Sequence, residues 1–141
     1  MKKITVVIAV MMSLALLLTA CAKKQEPITF ESFGGDWSVK ESTIHGDPNN
    51  LGVFSKVASQ YSPGGGIRIN GERICQYRDL EYDMPVGDFC TFTVKDGGKL
   101  AFHDIQMDGF PALGDFEADY KLEGKKLTLT QGTTVIVLEK K

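Results

Sequence analysis

From residue 35 onward the chain is dominated by short runs in which every second residue is apolar, separated by clusters rich in glycine, asparagine and aspartate. A period of two places alternate side chains on opposite faces of a strand, so such runs must bury one face against one another. Trp37 to about Ile44 reads as the first strand, and His45-Gly46-Asp47-Pro48-Asn49-Asn50 reads as a loop. Pro63-Gly64-Gly65-Gly66 is a turn or hinge before Ile67-Arg68-Ile69. Asn70-Gly71 then predicts a type I′ hairpin, because both residues tolerate positive φ, and a strand from Arg73 to Tyr82 follows. Phe89 to Val94, Leu100 to Met107, Phe116 to Leu122, Leu127 to Leu129 and Val135 to Leu138 continue the pattern, with glycine-containing turns between them. The segment Val53 to Tyr61 fits a strand or a short helix equally well. These elements predict an all-β fold, an antiparallel meander of about eight strands closed into a barrel or half-barrel, since closure removes exposed sheet edges.

Upstream of the strands the chain has a different character. Met1-Lys2-Lys3 is basic, and Ile4 to Leu18 is almost wholly apolar. That run is shorter than the roughly 20 residues of a comfortable membrane-spanning helix, so residues 1–20 read as a secretory signal. Leu18-Thr19-Ala20-Cys21 resembles the bacterial lipobox, in which the cysteine is acylated and becomes the new N-terminus. The resemblance implies that Cys21 is lipidated and that the protein is held on a membrane of the cell envelope. Ala22, rather than Asp, implies the outer membrane if the source is Gram-negative. Acyl chains contribute about 0.8 kcal/mol per buried methylene, so several on one cysteine hold a protein without a spanning helix. Residues 21–33 are then the lipidated cysteine and tether, and residues 34–141 a single domain.

Residues 1–20 carry two lysines and no acid, which leaves 14 basic and 18 acidic side chains, a formal charge of −4. No basic stripe is present, which argues against nucleic acid as a partner. With Cys21 assigned to lipid, Cys75 and Cys90 remain. In an oxidising envelope compartment an even pair reads as a disulfide, here between neighbouring antiparallel strands, with a loop closure contributing about 3 kcal/mol.

Gly35-Asp36-Trp37 at the start of the first strand resembles the Gly-x-Trp signature of lipocalin-like barrels, whose tryptophan packs across the closed end. The ending Tyr120-x-Leu122-x-Gly124-x-x-Leu127-Thr128-Leu129 is also similar to small bacterial lipocalin-like lipoproteins. The same ends resemble the META-domain envelope family, although its Gly-Cys-Asn motif does not occur here. An eight-stranded barrel either fills its interior with side chains or encloses one small ligand. Phe92, Phe102, Phe116 and Tyr120 are the residues expected to line such a site for a small apolar molecule or lipid. The alternative is a filled barrel that serves a protein partner or an envelope assembly.

Catalytic patterns are lacking: there is no Gly-x-Ser-x-Gly, no His-Glu-x-x-His and no phosphate-binding loop. No enzyme activity, cofactor or metal is therefore expected. His103, Asp104 and Asp108 do not converge locally on a strand, and His45 has no ligand pattern around it. Asp79, Glu81 and Asp83 would share one strand face, but Met84 stands where a calcium loop needs its turn glycine.

Overall fold

The computed structural model describes residues 26–43, 51–52, 65–106 and 114–141. A short 3-10 helix, Phe30–Phe33, precedes eight strands. They are β1 (Gly35–Thr43), β2 (Gly66–Asn70), β3 (Arg73–Asp79), β4 (Met84–Lys95), β5 (Lys99–His103), β6 (Phe116–Glu123), β7 (Lys126–Gln131) and β8 (Thr134–Lys140). Each pairs antiparallel with the next, and β1 also pairs with β8, which closes the sheet into a barrel. This is the meander that the two-residue period predicts. The segment Val53 to Tyr61, His45, Asp108 and Cys21 lie outside the described residues.

The hairpins depart from the sequence expectation in register. Asn70 pairs with Arg73 as a strand residue, so the two-residue turn is Gly71-Glu72, with positive φ at Gly71 (59°) and not at Asn70. Glycine at the first turn position with φ positive there alone is the type II′ pattern rather than type I′. The β6–β7 and β7–β8 turns likewise begin at Gly124 and Gly132. The strand predicted from Arg73 to Tyr82 stops at Asp79, because Asp79 Oδ1 accepts the N–H groups of Glu81 (2.9 Å) and Tyr82 (3.2 Å) and turns the chain there. The carboxylates of Asp79, Glu81 and Asp83 consequently do not form a row on a strand.

Gly66 allows a close approach that no other residue could make. A Cβ there would stand 2.2 Å from the Trp37 carbonyl oxygen and 2.9 Å from Leu80 Cδ1. Since Ile67 and Ile69 belong to the interior core, alternation puts Gly66 and Arg68 on the outer face. Leu80 and the turn after β3 therefore fold back over the outside of β1 and β2.

The barrel has two distinct ends. One carries the turns at Gly71, Gly97-Gly98 and Gly124, the start of β1 and the end of β8, and the 3-10 helix seals it. Phe33 and Trp37 are fully buried there, and Trp37 Nε1 donates to the Phe33 carbonyl at 2.7 Å. The other end carries the β5–β6 and β7–β8 connections and the long β1–β2 connection. Leu51 from that connection is fully buried, and its N–H donates to Gln131 Oε1 at 3.0 Å. Gln131 Nε2 in turn donates to the Glu117 carbonyl at 3.1 Å, which fixes the contact to β6.

Candidate functional site

The four aromatics expected around a ligand point into one continuous core. Phe92 and Phe102 are each 1% exposed, Phe116 is 7% exposed, and Tyr120 is half-buried against the same cluster. Their rings are taken up by one another and by Phe33. Phe102 stacks on Phe116 with centroids 4.8 Å apart, while Phe33 meets Phe92 at 5.8 Å and Tyr120 at 5.1 Å edge-to-face. Such separations are those of directly touching rings. Ile67, Ile69, Ile74, Leu127, Leu129, Ile136 and Leu138 complete the packing from the remaining strands. Among the described residues, every buried side-chain polar atom has a hydrogen-bond partner.

Phe33 is the core residue that the sequence reading assigned to the tether. No periodic pattern in the sequence marks it: the 3-10 helix ends at Phe33, Gly34 is extended and Trp37 already belongs to β1. Thr29 and Ser32 hold that turn, with the Thr29 N–H donating to Ser32 Oγ at 3.2 Å.

Cys75 and Cys90 lie on the neighbouring strands β3 and β4, but no disulfide joins them. Cys90 lies opposite Ile74 and is buried with it in the core. Cys75 is the next residue along β3, so alternation turns it toward the outer face, where it is half-buried. Burial raises the Cys90 thiol well above the usual thiol range, with a smaller contribution from Cys75.

Two polar clusters occupy the outside. Arg68 forks onto Asp36 through Nε to Oδ1 (2.7 Å) and Nη2 to Oδ2 (3.1 Å). Its Nη1 donates to Tyr77 Oη (2.9 Å) and to Asp83 Oδ1 (2.5 Å), and its guanidinium lies 4.3 Å from the Tyr77 ring centroid. This four-residue cluster thus ties β1, β2, β3 and the folded-back turn together. Tyr82, Met84 and Val86, on and just after that turn, are exposed at 74%, 46% and 39%. On the opposite flank, His103 Nδ1 meets Asp115 Oδ2 at 2.9 Å and Nε2 meets Thr93 Oγ1 at 3.2 Å. Asp104, just past the end of β5 and at positive φ (51°), accepts from Thr91 Oγ1 (3.2 Å), so the chain's turn after the strand, not strand alternation, leaves it on the same outer face as His103 but on a different partner. Among the described residues, no three metal-ligating side chains come together.

An open groove of about 660 Å³ lies outside the sealed end, lined by Glu26, Ile28, Gly98 and the run Tyr120 to Glu123. It receives the first described residues of the chain against the β4–β5 turn and the end of β6. Compared with family models, curated proteins and solved structures, the chain matches none.

Proposed function

We propose that this protein is a lipid-anchored, lipocalin-like module of the cell envelope, outer membrane if the source is Gram-negative, that acts through its outer surface on a protein partner rather than through an interior ligand. The observation that carries this reading is the mutual packing of Phe33, Phe92, Phe102, Phe116 and Tyr120. Aromatic surface covered by another ring is not available to a guest, and these contacts engage all five rings. The exposed Tyr82, Met84 and Val86 beside the Arg68 cluster support a surface role, since aromatic residues and Met are enriched where proteins meet. The anchor rests on the lipobox resemblance around Cys21. No catalytic role is assigned to any residue.

The test joins two measurements on the full chain expressed in a bacterial host. Mass spectrometry of the membrane-extracted protein should show acyl mass on Cys21, and Cys21→Ser should leave the membrane fraction after a high-salt wash or remain uncleaved. Retention of a cleaved Cys21→Ser protein in washed membranes overturns the anchor. Native mass spectrometry and titration with a fluorescent fatty acid should show no co-purifying small molecule and no saturable binding. Stoichiometric binding of the probe, abolished by Phe102→Trp, restores the interior-ligand reading.

A further inference from the structure

We infer that the sealed end of the barrel lies on the bilayer surface, with Ile28 and Phe30 as its apolar contact, so that the opposite end, capped by Leu51, faces away from the membrane. This inference rests on the lipid anchor proposed above, and adds to it an orientation that an anchor alone does not impose.

Three observations lead to it. First, the chain leaves the barrel at the sealed end: Glu26 and Ile28 line the groove with Gly98 and Tyr120 to Glu123. Second, Glu26 stands five positions after Cys21, and five residue steps span at most about 18 Å fully extended. A lipid on Cys21 therefore holds this end within one tether length of the headgroups. Third, apolar side chains flank the seal inside and out, although the exposed Glu31 and Ser32 share its outer side. Phe33 fills the inside with no exposure, whereas Phe30 is 42% and Ile28 36% exposed on the outside.

The charges at this end favour contact without demanding anionic lipid. Lys125, Lys126 and Lys141 share this end with Glu26, Glu31, Glu72, Asp96 and Glu123, all exposed, so the surface is mixed in sign. Lysine stems can lie along the interface while their ammonium groups reach the phosphates. Attraction then comes from the short tether and the apolar pair, and the orientation should persist at high salt and in zwitterionic bilayers.

Paramagnetic relaxation on the lipidated protein in nanodiscs containing a gadolinium-chelating lipid reads the orientation directly and needs no variant. Amides at Phe30, Gly71, Gly98, Gly124 and Lys125 should lose intensity, while those at Thr43 and Gly132 keep it, in zwitterionic and anionic nanodiscs alike. The double variant Ile28→Asp, Phe30→Asp should stay in the nanodisc with a native-like spectrum, yet lose the contrast between the two ends. A lipidated protein with equal broadening at both ends, or with broadening centred on Gly132, overturns the orientation alone. A contrast seen only in anionic nanodiscs overturns the role given to the apolar pair. A chain that carries no acyl mass and does not enter the nanodisc overturns the anchor, and the orientation with it.

Discussion

Trp37 donates its indole N–H to the carbonyl of Phe33, 2.7 Å away, and both side chains are completely buried at the sealed end of the barrel. The bond joins the 3-10 helix to the first strand in a region that water does not reach, so the Phe33 oxygen has no ready substitute partner. Trp37→Ala should destabilise the domain by about 3 to 5 kcal/mol, and Trp37→Phe by less, since it keeps most of the apolar volume and loses the hydrogen bond. Urea denaturation followed by far-ultraviolet circular dichroism checks both. An unchanged midpoint for Trp37→Ala would remove the seal from any role in stability.

Two glycines should respond to alanine for different reasons. At Gly66 the added Cβ would meet the Trp37 backbone at 2.2 Å, so the strands must part and the cost should be about 1 to 3 kcal/mol. At Gly71 nothing lies within 4 Å, and the cost arises from positive φ, at about 1 to 2 kcal/mol. Gly71→Asn should recover part of the loss, because asparagine tolerates that backbone region, whereas Gly66→Asn should not. Thermal melts of the four variants decide the matter.

The Cys90 thiol is held protonated by its burial. Its pKa in the folded state is raised above the unfolded value of about 8.5, so the stability linked to it is complete below that pH and declines as pH rises beyond it. The difference in urea midpoint between the protein and Cys90→Ala should therefore shrink from pH 7 to pH 10. Cys75, half-buried toward the outside, should react with maleimide before Cys90 in the native protein. Simultaneous labelling of the two at the rate of a free thiol would contradict the inward placement of Cys90.

Arg68 and Asp36 are about one-third exposed at the side chain and joined by a two-pronged bond. A double-mutant cycle with Arg68→Met and Asp36→Asn should give a coupling of about 1 kcal/mol, and Arg68→Lys should lose most of it because an ammonium cannot fork. Chemical denaturation in low and high salt checks the coupling, which should fall only modestly with salt.

Much of the architecture is legible in the residues themselves. Alternation from Trp37 to Leu138 dictates strands, glycines at positions 71, 97, 98, 124 and 132 dictate where they reverse, and the absence of any long helical period leaves a closed meander as the way to bury the apolar faces. Local periodicity is a short-range property, and it survives into the fold because neighbouring strands pair with neighbouring strands. The burial of Trp37 at a barrel end was implied instead by the Gly-x-Trp resemblance, not by periodicity.

Contacts between segments distant in sequence followed other rules. Phe33 enters the core only because a single 3-10 turn swings it under Tyr120, 87 residues later, and no alternating pattern surrounds it. Asp79 ends its strand through hydrogen bonds to its own turn, and Leu80 then folds over a glycine that the sequence marks only as flexible. Cys75 and Cys90 were separable only by face, which depends on the irregular register between β3 and β4. Whether Phe92, Phe102, Phe116 and Tyr120 surround a space or fill it depends on distances across the barrel, set jointly by all eight strands. Residue identity and spacing determined that these aromatics would point inward; only tertiary packing decided that Phe102 stacks on Phe116 while Phe92 and Tyr120 meet Phe33.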